Sequence, residues 1–194
     1  MNDLSLDRQA SGSRVDVSDD ARLVMAARRD RREFAHLYER YADRLYRYAL
    51  ARTGSEAAAD DIVSETMVAA LEGIGRFDPE RGTVAGWLFA IAARKVADRG
   101  RRRGRMRRLV GRLRGGEGSD EDVLETVIRG EDAALVQRLL AGLSERDREL
   151  VLLRYSAGLT STEIAETLGI SSGAARVRLT RVLQRLAAEL GDDR

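Results

Sequence analysis

Apolar residues recur along this chain at helical steps. Phe34, Leu37, Tyr38, Tyr41, Leu45 and Tyr48 follow at three- and four-residue intervals and trace one helix face. Gly54 stops that pattern, and Ser55 or a neighbour starts a second helix, with a stripe of Val63, Met67, Ala70, Leu71 and Ile74. Asp60, Asp61, Ser64 and Glu65 fall on its other faces and form an acidic surface. A third helix is predicted from near Thr83. It carries Trp87, Leu88, Ile91 and Val96, and Trp87 is read as core. Later, one helix is expected around Asp132–Ala141, and Ser144 caps another that carries Leu150, Val151, Leu153 and Tyr155. No run of alternating β-branched residues interrupts this. The expected fold is all-α: two small helical domains joined by a flexible linker.

The sharpest local signal lies between Leu159 and Arg181. Thr160 and Glu163 have the spacing of a capping box, in which side chains and backbone N–H groups at a helix start satisfy each other. Ile164, Ala165 and Leu168 give the short helix a buried face, and Gly169 ends it. Ser171 can cap the next helix, whose Ala175, Leu179 and Val182 face inward. Ser172, Gly173, Arg176, Val177 and Thr180 lie on the opposite face. This is a helix-turn-helix, a motif that places its second helix in the DNA major groove.

Composition sharpens the partner. Hydrophobic residues make up 43% of the 194 and charged residues 34%. The net charge of +2 hides an asymmetry: Arg94 to Arg114 holds eleven basic residues against Asp98 alone, a local net of +10. Lys95 is the only lysine among 34 basic residues. Coding bias accounts for arginine over lysine but not for the clustering, which suits phosphate. No cysteine is present, so disulfides and thiolate zinc sites are excluded. His36, the only histidine, sits in no metal-ligand cluster or catalytic constellation, and no cofactor, metal or catalytic residue is expected. The first residues are polar, without the apolar segment of a secretory signal, and no stretch is long and apolar enough for membrane insertion. Residues 1–20 are expected to form a disordered tail, 21–100 a first domain, 101–121 a basic, glycine-rich linker and 122–194 a second domain. A short helix around 106–113 is possible within the linker.

Two segments together carry a resemblance. Ala57–Leu71 with Phe77–Arg103 resembles region 2 of bacterial RNA polymerase sigma factors, and Leu143–Leu186 resembles their region 4. The two-domain plan is similar to the extracytoplasmic-function (ECF) group. Ser64, Met67 and Gly86 depart from the family's common residues, Gly86 standing where a threonine usually precedes the tryptophan. Gly173–Ala175 are smaller than their usual counterparts.

The resemblance implies a cytoplasmic, non-enzymatic initiation factor that binds core RNA polymerase, recognises −10 and −35 promoter elements and aids melting. It implies that Asp60, Asp61, Ser64 and Glu65 dock on the β′ clamp helices, with the β flap as a further contact. The loop with Arg76, Phe77, Asp78 and Arg81 would meet a flipped −10 base, although Phe77 can equally be core. Arg94, Lys95, Arg99, Arg101, Arg102 and Arg103 would meet phosphates nearby. Ser171, Ser172, Gly173, Arg176, Val177, Arg178, Thr180 and Arg181 would face the −35 element. Arg176 is the best base reader, because Arg can bond guanine bidentately. Arg178 and Arg181 would touch phosphate or be only surface charge. An anti-sigma protein is the expected regulatory partner. The alternative is a helix-turn-helix regulator that acts without core polymerase.

Overall fold

A computed structural model describes residues 17–114 and 131–192. Among these, every regular element is helical: α1 (Val17–Arg29), α2 (Phe34–Thr53), α3 (Glu56–Gly73), α4 (Val84–Arg114), α5 (Glu131–Ala141), α6 (Glu145–Tyr155), α7 (Ser161–Leu168) and α8 (Ser172–Asp192), with single 3-10 turns at Arg31–Glu33 and Ile74–Arg76.

The helix boundaries follow local chemistry. Gly54 closes α2 at φ 63°, a left-handed conformation that side chains with a Cβ disfavour. Ser55 caps α3 by accepting the Ala58 N–H, and Ser144 caps α6 by accepting the Asp147 N–H. Thr160 and Glu163 form the complete capping box of α7, and Gly169, at φ 66°, ends it.

The apolar stripes meet as expected. Leu37, Tyr41, Leu45 and Tyr48 of α2 are fully buried against Ile62, Val63 and Met67 of α3 and Leu88 and Phe89 of α4. Tyr48 meets the Phe89 ring edge-on at 5.6 Å. Each large side chain taken from water here contributes about 1.5–3 kcal/mol before entropy is counted. In the second domain, Leu150, Leu153, Leu159, Ile164 and Val182 form the centre. The two domains touch, α2 against α6 and α4 against α7, so the buried cluster is continuous across both.

Four expectations change. Tyr38 is 49% exposed and Tyr155 61%, because each lies at the edge of its stripe. Trp87 is only partly buried. It packs on Phe77, centroids 5.0 Å apart, at the rim of the core. The first domain begins before residue 21: α1 starts at Val17, and Asp20 is 5% exposed. The Tyr41 hydroxyl donates to Asp20, and Arg40 pairs with Asp20 at 2.6 Å and with Asp19 at 2.8 Å. Burial raises the Tyr41 pKa and keeps the phenol a donor. Finally, α4 runs through Arg114, across residues read as linker from 101 onward. Arginine and leucine are good helix formers, and they carry the helix on through Gly100, Gly104 and Gly111. The rest of the expected linker, and residues 1–16 of the tail, lie outside the described residues.

Candidate polymerase and nucleic-acid interfaces

Three surfaces carry the residues singled out by sequence. The first is the outward face of α3. Its inward positions are Ile62, Val63, Thr66, Met67 and Ala70, which leaves Asp60, Asp61, Ser64 and Glu65 exposed together. Two of these acids are already engaged by α4: Arg99 pairs with Asp61 and Lys95 with Glu65, each at 3.1 Å. Pairs this exposed contribute little, about 0–1 kcal/mol.

The second surface joins the loop before α4 to the basic length of α4. Arg76, Asp78 and Arg81 are exposed. Asp78 Oδ1 accepts the Glu80 N–H at 3.0 Å and its carbonyl accepts the Arg81 N–H at 3.1 Å, fixing a tight turn around the only proline, Pro79. Phe77 belongs to the core: it is 7% exposed and its ring lies on Trp87. Its stacking face is therefore taken, and the base-stacking role is corrected in favour of the core alternative. The backbone leading into this turn is tied back to α1, because Arg28 Nε donates to Ile74 O at 2.9 Å and its terminal nitrogen to Phe77 O. Farther along, Arg94, Arg99, Arg101, Arg102 and Arg103 are exposed and Lys95 is half-buried. Arg101 pairs with Asp98.

The third surface is the outer face of α8. Ala175, Leu179 and Val182 are buried, and Ser171, Ser172, Gly173, Arg176, Val177, Thr180 and Arg181 are exposed. Ser171 Oγ accepts the Ala174 N–H at 3.1 Å, which starts the helix with its first turn facing outward. Arg178 differs from its neighbours. Its Nε donates to Asp147 Oδ1 at 2.7 Å, while Arg185 reaches Asp147 Oδ2 at 3.3 Å. Burial pushes the Asp147 carboxyl up. The Arg178 and Ser144 hydrogen bonds more than offset this, leaving its pKa below the ordinary 3.8.

One group of contacts had no sequence signal. Glu149 is half-buried where α6 meets α2. The Tyr48 hydroxyl donates to it, and Arg52 Nε lies 2.9 Å from Oε2 as an ion pair not aligned as a hydrogen bond. Burial raises its pKa, with Arg52 and Tyr48 pulling it back. Arg44 Nε of α2 donates to Ala157 O, just beyond α6, at 2.9 Å.

No group of three or more metal-ligating side chains exists among the described residues, and none of their helices is long and apolar enough to cross a membrane.

Comparison with known proteins gives these surfaces their context. Sigma-70 region 2 matches residues 37–106 and Sigma-70, region 4 matches residues 133–186. The ECF RNA polymerase sigma factor BldN of Streptomyces coelicolor is 31% identical over 181 residues, covering 91% of this chain and 69% of that one. The chain belongs to the ECF sigma factors. The ECF sigma factor SigL of Mycobacterium tuberculosis is 32% identical over 174 residues, covering 88% of this chain and 98% of its own. Among solved structures, CnrH in complex with the cytosolic domain of CnrY matches at TM-score 0.66 and 27% identity, over 90% of this chain and 99% of that one. The sigma factor RpoE of Bartonella quintana, in complex with the anti-sigma factor NepR, shares the fold at TM-score 0.63 and 23% identity, over 84% and 99%. As an ECF sigma factor, this protein binds core RNA polymerase and directs it to promoters. The regulator acting without polymerase is not favoured.

Proposed function

We propose that the three surfaces divide the work of initiation. Asp60, Asp61, Ser64 and Glu65 dock α3 on the β′ clamp helices, where an acidic patch fixes register against basic groups and speeds encounter. The turn with Arg76, Asp78 and Arg81 meets the −10 element, and Arg94, Lys95, Arg99 and Arg101–Arg103 hold phosphates beside it. The outer face of α8, with Ser171, Ser172, Gly173, Arg176, Val177, Thr180 and Arg181, lies in the major groove of the −35 element. Arg178 supports that face from behind, through Asp147. The second domain also supplies the contact to the β flap. The chain performs no covalent chemistry and works in the cytoplasm, where the polymerase is. An anti-sigma protein regulates it, a reading supported by the likeness to CnrH bound to CnrY.

One observation carries this reading. A polar, acidic face of α3, a basic α4 and an outward recognition face of α8 occur in one chain, all exposed, with the faces of α3 and α8 each backed by a buried stripe. The deciding experiment reconstitutes the chain with core polymerase and maps the transcripts that start. Defined start sites sharing −10 and −35 sequences are expected. Asp61→Arg with Glu65→Arg should abolish them together with core binding. Unchanged core affinity in that folded variant would remove α3 as the docking face.

A further inference from the structure

We infer that the start of α4 is capped in trans by Glu166 of the second domain, and that this contact holds the free chain closed. This conformational claim does not depend on the functions proposed above.

Thr83 is the N-cap of α4. Its Oγ1 accepts the Gly86 N–H at 3.0 Å. A capping box would add a carboxylate from the third helical residue, returning to the N–H of the capping threonine. Thr160 and Glu163 do this at α7. At α4 the third helical residue is Gly86, which has no side chain to return. The missing carboxylate comes from α7 instead. Thr83 donates to Glu166 Oε2 twice, from its N–H at 2.8 Å and from its hydroxyl at 2.6 Å. Two donors of a helix start, where the helix dipole favours negative charge, are thereby satisfied by a residue 83 positions away.

Gly86 is a condition of this arrangement. A Cβ there would lie 2.2 Å from Glu166 Oε2 and 2.7 Å from Glu166 Cβ. The carboxylate can swing aside. The Cβ is fixed by the α7 backbone, so any side chain at 86 requires α7 itself to move. Thr167 Oγ1, one residue on, sits 3.4 Å from Gly86 O, so the two helices meet at backbone distance. Glycine is otherwise a poor choice inside a helix. In the closed chain α7 sits against the start of α4, next to the turn that carries Arg76, Asp78 and Arg81, while the outer face of α8 stays exposed.

The test uses the full chain, which has no cysteine of its own, labelled at Glu72→Cys and Gln184→Cys for energy transfer, with small-angle scattering alongside. Gly86→Glu supplies the carboxylate in cis and fills the space of Glu166. It should lose most of the transfer and enlarge the radius of gyration while keeping α4 helical by circular dichroism. Glu166→Ala should open the chain similarly, and Glu166→Gln less, since an amide oxygen still accepts. Folded Gly86→Glu and Glu166→Ala proteins with the parent's transfer, or a parent already as extended as its variants, would overturn the inference. None of these readouts involves polymerase, so the latch and the promoter role stand or fall separately.

Discussion

Arg176 and Arg178 are two positions apart on α8 and have different surroundings. Arg178 is held by Asp147, whereas Arg176 points outward beside Val177 and Thr180, with no carboxylate paired to it among the described residues. Arg176→Ala is expected to cost about 1–3 kcal/mol of discrimination for the cognate −35 element, the range of a bidentate base contact. Competition binding against random duplex measures it, and an equal loss on both duplexes would make Arg176 a phosphate contact. Arg178→Ala should change affinity for DNA less and loosen α6 against α8. The acid in that contact sets a pH dependence. The folded pKa of Asp147 is lowered below its ordinary 3.8, so its stabilising contribution is complete above that value and fades as pH falls through the lowered folded value. Thermal unfolding of the full chain between pH 2 and pH 6 should show this loss. Asp147→Asn should be less stable near neutrality and should flatten that part of the acid limb.

At the scale of elements, α4 sets what can be expected of DNA binding. Its basic side chains are not equivalent. Lys95, Arg99 and Arg101 each have a carboxylate partner already, while Arg102 and Arg103 face solvent. A cation released from an intramolecular pair gives back part of what it gains on phosphate. Each of Arg102→Ala and Arg103→Ala should therefore lower the slope of log affinity against log salt by about 0.7–0.9, the range between single and double strands, and Arg101→Ala by less. Holoenzyme binding to a promoter fragment across a salt series measures this. Helix boundaries were legible in sequence where their chemistry is local: Ser55, Ser144, Thr160 with Glu163, and Gly169 all act where their spacing placed them. The exposed faces of α3 and α8 were legible for the same reason. The start of α1 was not, because Asp20 looks like a solvated acid until Arg40 and Tyr41 are brought to it. Phe77 was ambiguous because an isolated aromatic beside a turn has no period to show which side it faces. Glu166 gave no signal at all: on α7 it occupies an ordinary polar position, and its partner is set only when two domains meet.

At the scale of the whole molecule, two of the polar contacts between the domains differ in kind: the capping of α4 and the Arg52–Glu149 pair between α2 and α6. The side chains of Arg52 and Glu149 are 12% and 13% exposed. Removing one partner of a buried pair inside a single core strands a charge and costs about 3–5 kcal/mol. Between two domains there is an escape, because opening returns Glu149 to water. The loss is then limited to the free energy of closing. Arg52→Ala is accordingly expected to expand the chain in small-angle scattering while each domain keeps its own unfolding transition. Replacing the pair together, Arg52→Met with Glu149→Leu, leaves no stranded charge and should restore compactness. If Arg52→Ala instead stays compact and loses several kcal/mol of global stability, the domains unfold as one unit and the α2–α6 contact is part of a shared core. The continuous buried cluster makes that outcome a real competitor. What favours opening is the chemistry of the contact. Arg44 and Arg47 reach backbone carbonyls of Ala157 and Ser156, Arg52 reaches Glu145 and Glu149, and Tyr48 reaches Glu149. Every one of these polar groups can exchange its partner for water, which apolar side chains in a single core cannot do.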